Sequence, residues 1–219
     1  MFPDSIKKFI DIFASLPSIG TRQAARLCFH LINSGKAKIE EVSEVIKTLK
    51  SLKICSECFL VHDTDSRSGN LCHICRDPKR HKGIIMIVEK ETDLISLEKT
   101  KKFKGRYLIL GPLSKSGAME PIQKLRLNQL KNSIKKQSNS LSTSSGQAQP
   151  SLEATAGKAE EIIIAINPTT YGDLNASLIT KELAPFAKKI SRLGRGLPTG
   201  GEIEFADEET LSSALESRG

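Results

Sequence analysis

Cys55 and Cys58 form one C-x2-C knuckle and Cys72 and Cys75 a second, with thirteen residues between them. Tetrahedral zinc takes four soft ligands, and two facing knuckles present four thiolates with no further help from the fold. The pattern predicts one structural Zn2+ per chain, held by Cys55, Cys58, Cys72 and Cys75. Four thiolates close the shell, whereas a catalytic zinc keeps a position open for water. A redox dithiol and a pair of disulfides are the competing readings. Neither fits well, because Met1 to Ser15 is amphipathic with charges throughout in place of a secretory signal, and disulfides are rare inside cells. His62, His73 and His81 are spare ligand candidates, and Cys28 lies on an apolar helical face as a core thiol. The connector, with turn formers Asp63, Asp65, Ser66, Ser68 and Gly69, reads as a small hairpin that folds the second knuckle back on the first.

The 219 residues are 38% hydrophobic with no apolar run long enough to span a bilayer, which suits one medium domain with smaller modules and excludes membrane insertion. The formal charge of +8 falls to about +6 once four thiolates and a zinc ion are counted, so the chain stays basic and suits a polyanionic partner. With no Trp and two Tyr, the composition argues against a stacking platform for single strands and favours backbone contacts from Lys and Arg.

Apolar residues recur at helical spacing from Met1 to Leu52, as in Ile6, Phe9, Ile10 and Phe13, then Ala24, Leu27, Cys28, Leu31 and Ile32. Between these runs Leu16 to Gly20 reads LPSIG: Pro17 stops one helix and Gly20 permits a tight turn before the next starts at Thr21. This is a helix-hairpin-helix signature, in which turn amides and a helix N-terminus offer an anion site suited to a DNA phosphate. Arg22 and Arg26 lie four apart on one face of the second helix and would meet the same phosphate track. An ordinary αα-hairpin with solvated arginines is the bland alternative, and Lys36 and Lys38 add nearby charge of the kind that decorates any exposed face.

Further along, Ile84 to Val88 and Arg106 to Leu110 are continuous apolar runs, with a helical pattern from Asp93 to Lys102 between them. A third run, Ile162 to Ile166, precedes a helix from about Leu174 to Phe186. Such alternation predicts an α/β fold with a parallel sheet covered by helices. Ser133 to Lys158, rich in Ser, Thr, Gln, Ala and Gly, is expected to be a flexible insertion.

LPSIGTRQAARLCFHLI, CHICRDPKR, IVEKETDLISLEKT, INPTT and the terminal SRLGRGLPTGGEIEFADEETLSSALESR, in that order, closely resemble the RecR family of bacterial recombination mediators over nearly the whole chain. The resemblance implies a helix-hairpin-helix module at 1–53, a four-cysteine zinc finger at 54–78, a Toprim-like α/β domain at 79–193 with the insertion at about 133–158, and a Walker B-like assembly tail at 194–219. It implies recombinational DNA repair in the cytoplasm at the nucleoid, with a RecO-type and in some cases a RecF-type partner, helping to load RecA recombinase onto single-stranded DNA. It further implies a homotetrameric ring on duplex DNA or single-strand/duplex junctions. Arg22 and Arg26 match positions credited with DNA contact, and Glu89 and Asp93 match acidic positions linked to partner binding.

Toprim enzymes hold Mg2+ with a Glu after the first strand and paired acids after a later one. Glu89 fills the first place, but Asn167 and Pro168 follow the third strand, so no catalysis is expected. A Mg-dependent Toprim nuclease or topoisomerase-like enzyme that uses Glu89 with further acids such as Asp93 or Asp173, and a zinc-stabilised interaction scaffold, are the alternatives. The chain departs from the family at Ser18 in the hairpin, at Tyr171 and Asp173 where Glu-Gly-Glu is common, and in GPLSKSGAMEPIQKL after Leu110. It has no Walker A loop, which argues against ATP binding, and GLPTGGEIEF reads as a turn and a strand pairing with a neighbouring element.

Overall fold

The computed structural model describes residues 2–63, 69–141, 157–194, 196–197, 200 and 202–216. The chain divides at Leu52/Lys53 into two compact units.

The first unit is helical: α1 (Asp4–Ala14), α2 (Thr21–Asn33) and α3 (Lys36–Thr48). Ala24 and Cys28, one turn apart on α2, are its buried side chains, as their apolar spacing predicts. Phe9 and Phe13 stack with ring centroids 4.1 Å apart, and Phe2 meets Phe29 edge-on at 5.6 Å. The hairpin between α1 and α2 differs from the expected one in which residue bends: Gly20 is extended at φ −88°, and Ser18 takes the left-handed conformation at φ 65°.

The second unit begins with the cysteine module. β1 (Lys53–Ile54) and β2 (Val61–His62) pair antiparallel around the first knuckle, and the short helix α4 (His73–Arg76) carries the second. The hairpin therefore brackets Cys55 and Cys58; most of the connector expected to form it, 64–68, lies outside the described residues. There follow β3 (His81–Val88), α5 (Glu91–Lys99), β4 (Gly105–Ile109), α6 (Pro121–Leu141), β5 (Ala159–Ala165), α7 (Thr170–Leu183), β6 (Ala187–Arg192) and α8 (Glu208–Glu216). The four long strands form one parallel sheet in the order β4-β3-β5-β6, with Ile85 beside Ile162 and Ile87 beside Leu108.

Strand side chains alternate between two cores. Ile85, Ile87, Leu108, Ile162 and Ile164 pack under α6 and α7 against Leu127, Leu130, Ile134, Ile179 and Leu183. Met86, Val88, Tyr107 and Ile109 point the other way, onto Leu94 of α5 and onto Cys55, Cys58, Leu60, Cys72 and Ile74. Burial on both faces is why these strands read as unbroken apolar runs. The cysteine module is thus part of the sheet's core, with the Ile109 amide on edge strand β4 donating to the Cys58 carbonyl at 3.0 Å.

Three expectations are corrected. Residues 133–141 are the last turns of α6, where Ile134 is buried, so a helix runs into the span expected to be a flexible insertion; residues 142–156 of that span lie outside the described residues. The sheet has a fourth strand, β6, whose lysines hid it because it is the opposite edge. Ile203–Phe205 forms a 3-10 turn ahead of α8, and no strand occurs among the described residues of the tail.

Candidate metal centre and nucleic-acid interface

The two knuckles bring Cys55, Cys58, Cys72 and Cys75 together with all four sulfurs within 4.8 Å of one another. Tetrahedral Zn–S bonds of about 2.3 Å place sulfurs roughly 3.8 Å apart, so the cluster fits one such ion. Cys58 Sγ lies 3.5 Å from Cys72 Sγ. The Cys72 amide donates to Cys55 Sγ at 3.4 Å, and the Cys75 amide to Cys72 Sγ at 3.5 Å; such N–H···S contacts favour thiolates. Hydrogen bonding to Cys58 holds Cys55 far down, while hydrogen bonding to Cys55 pushes Cys58 and Cys75 up. Sulfurs this close cannot all be anionic alone, and a divalent cation is what lets them be. Among the described residues no other group of three or more His, Cys, Asp and Glu gathers to hold a metal, and His62, His73 and His81 stay outside this one.

Residues that spacing did not single out hold the module in place. Gln129 of α6 donates to the Ser56 carbonyl, and Ser133 Oγ donates to Glu57 Oε2 at 3.0 Å. Arg126 lies over the Phe59 ring, 4.7 Å from its centroid, and donates to the Ile109 carbonyl at 2.9 Å. On the opposite face Arg80 donates to Glu98 of α5 and to the Gly105 carbonyl, the latter at 3.2 Å. The only sequence signal for any of these is Arg80, which ends the CHICRDPKR segment.

In the helical unit, Arg22 and Arg26 are both exposed, four residues apart in the first two turns of α2. Gln23 Oε1 accepts the Gly20 amide at 3.1 Å, fixing the entry to the helix. Lys38 pairs with Glu41 at 2.8 Å on α3.

Residues 83–194 match the Toprim domain family, and residues 196–218 match the family described as RecR, C-terminal. A recombination protein RecR from Clostridium perfringens is 37% identical over 219 residues, spanning 99% of this chain and 97% of that one. This chain belongs to the RecR family. RecR proteins from a Nocardioides species and from Myxococcus xanthus are each 33% identical, with 100% of this chain and 98% of each relative covered. The parallel sheet is accordingly the family's Toprim domain.

At the carboxyl ends of the RecR sheet, Glu89 is half-buried just past β3, and its carbonyl accepts the Gly111 amide at 2.9 Å. Asp93 caps α5, accepting the Lys90 amide at 3.2 Å. After β5, Thr169 Oγ1 accepts the Gly172 amide at 3.1 Å, and Asp173 pairs with Arg192 of β6 at 2.5 Å. A cavity of about 530 Å³ opens there, lined by Asn167, Pro168, Arg192, Asp207 and Thr210 among others. Glu89, Asp93 and Asp173 do not converge: one flanks β3, one caps a helix and one is ion-paired.

Proposed function

We propose that this RecR-family chain is a non-catalytic DNA clamp subunit of recombinational repair, whose four-cysteine centre holds zinc. In this reading it acts with a RecO-type partner, and with a RecF-type partner where one is present, to help load RecA onto single-stranded DNA. The observation that carries DNA binding is the exposed Arg22/Arg26 pair on the helix that follows the hairpin turn. The N-terminus of that helix favours a phosphate, and two guanidiniums one turn apart follow the same backbone. Four such chains would bring four copies of this helix toward one channel. Glu89 is the acidic side chain assigned to partner contact, with Asp93 beside it.

The absence of catalysis rests on the acid set: Asn167 and Pro168 stand where a Toprim enzyme needs carboxylates, and Arg192 neutralises Asp173. No described helix is long and apolar enough to cross a membrane.

Fluorescence anisotropy on a labelled single-strand/duplex junction across a salt series tests the reading. Wild type should bind with affinity falling steeply with salt, at about −0.9 in log–log slope for each duplex phosphate neutralised. Arg22→Ala with Arg26→Ala should weaken binding and flatten that slope; unchanged affinity and slope would favour the scaffold alternative. Native mass spectrometry should show four chains with four zinc ions. Mg2+-dependent cleavage of the same DNA, lost in Glu89→Gln, would overturn the non-catalytic assignment.

A further inference from the structure

The first cysteine knuckle contains a backbone conformation that its own residue disfavours. Phe59, directly after the ligand Cys58, sits at φ 65°, in the left-handed region that bulky side chains rarely enter. Such a conformation persists only where its surroundings over-determine it. Part of that surrounding is the knuckle itself, where the Phe59 amide donates to the Cys55 carbonyl at 3.0 Å; three residues of α6, at positions i, i+3 and i+7 and hence on one face, hold the knuckle from outside: Arg126, Gln129 and Ser133. Arg126 covers the Phe59 ring at 4.7 Å. Gln129 and Ser133 reach Ser56 and Glu57, the two residues between ligands Cys55 and Cys58. Arg106 of β4 completes the set, donating to Ser133 Oγ at 3.4 Å and standing 3.6 Å from the Glu57 carboxylate.

Apart from the Arg106–Ser133 bond, which ties β4 to α6, each link in that set joins α6 or β4 to the first knuckle. The second knuckle is tied down elsewhere, through Arg80 to Glu98 on the other face of the sheet. We infer that Arg126, Gln129 and Ser133 are positioning residues for the metal centre, so that docking of α6 and retention of the metal reinforce one another. The inference rests on the four-cysteine metal reading. Its consequence is reciprocal: whatever loosens α6 weakens metal binding by the same factor by which metal loss loosens α6.

The test uses the full-length, zinc-loaded protein in competition with a chromophoric chelator. Gln129→Ala with Ser133→Ala should lower metal affinity about ten-fold, the loss expected for two hydrogen bonds that orient a ligand loop. Ser133→Thr with Gln129 intact keeps the hydroxyl and should retain wild-type affinity. Unchanged metal affinity in the double variant overturns the inference. Hydrogen exchange of the wild type with and without chelator supplies a readout that needs no variant. Amides of residues 126–136 and of Ile109 should lose protection on metal removal while those of β6 keep theirs. Equal loss in β6, or undisturbed α6 amides, overturns the coupling. Wild-type protein that binds no zinc overturns the metal reading itself, an outcome distinguishable from failure of the coupling.

Discussion

Arg80, five residues past the last cysteine, makes a two-pronged ion pair with Glu98 of α5, with one prong, Nη1 to Oε2, at 3.2 Å. The same Nη1 donates to the Gly105 carbonyl, and the Arg80 side chain is 12% exposed against 27% for Glu98. This pair fastens the loop leaving the second knuckle to the helix on one face of the sheet and to the start of β4. Burial pushes the Glu98 carboxyl up, but the Arg80 guanidinium outweighs it and holds the group below its ordinary value near 4.5. A folded-state pKa below the unfolded one means that the stabilisation is complete above the unfolded value and is lost as pH falls through the folded one. Glu98→Gln should cost about 2 kcal/mol at neutral pH, the scale of a hydrogen-bonded charge left without its partner. The gap between variant and wild type should then close only as pH falls through the lowered folded-state pKa of Glu98, where both present a neutral group to Arg80. Urea unfolding at a series of pH values checks this, and a gap that persists at low pH would count against it.

The parts of this fold legible in sequence were those written in local pattern. Ile84–Val88, Arg106–Leu110 and Ile162–Ile166 were continuous apolar runs because both faces of those strands are buried, and the knuckles were given by spacing alone. What escaped was set by tertiary placement. Lys188 and Lys189 in β6 read as surface because an edge strand tolerates them. The last turns of α6 bury Ile134 inside a stretch of polar composition, and composition alone reads such a stretch as an insertion. The grip of Gln129 and Ser133 on the first knuckle joins residues more than seventy positions apart, and no local pattern encodes it.

Ser18 carries the left-handed turn between α1 and α2 at φ 65°, a conformation glycine enters freely and other L-residues enter at a cost of about 1 kcal/mol. Ser18→Gly relieves that strain but adds freedom to the unfolded chain, which offsets part of the gain. The net expectation is a stabilisation of about 0.5 kcal/mol. Differential scanning calorimetry on the full chain reads it as a small rise in the unfolding temperature of the helical unit. A fall would mean that the serine hydroxyl contributes more than its backbone costs.

Gly172 is required by close approach. A Cβ built there would stand 1.9 Å from the Asn167 carbonyl oxygen and 3.2 Å from Thr169 Oγ1, in the turn where β5 hands over to α7. The nearest obstacle is backbone, so the turn itself must move to admit a methyl group. Gly172→Ala should cost about 3 kcal/mol, at the upper end of overpacking effects. Gly194, with nothing within 4 Å of a built Cβ, is the matched control, and Gly194→Ala should stay within about 0.5 kcal/mol of wild type. Urea midpoints for both variants make the comparison; equal midpoints would show that the turn yields readily.

Glu89 and Asp93 share a place in the proposed partner surface, yet they do different physical work, which makes them separable. Asp93 accepts the Lys90 amide at 3.2 Å and so closes the N-terminus of α5. Removing such a cap costs about 1 kcal/mol. The Glu89 link to the fold runs through its main chain, where the carbonyl accepts the Gly111 amide at 2.9 Å, and truncating the side chain leaves that bond in place. Glu89→Ala should therefore keep stability within about 0.5 kcal/mol of wild type, whereas Asp93→Ala should lose about 1 kcal/mol. If the half-buried Glu89 carboxylate meets the partner directly, Glu89→Ala weakens capture of a RecO-type protein with no change in melting temperature. Asp93→Asn keeps an oxygen for the Lys90 amide and removes the charge, so it separates charge from capping. Surface plasmon resonance on the three variants, read beside their melting curves, decides the matter. Undiminished partner binding by Glu89→Ala would remove Glu89 from the interface and leave Asp93 with capping as its role.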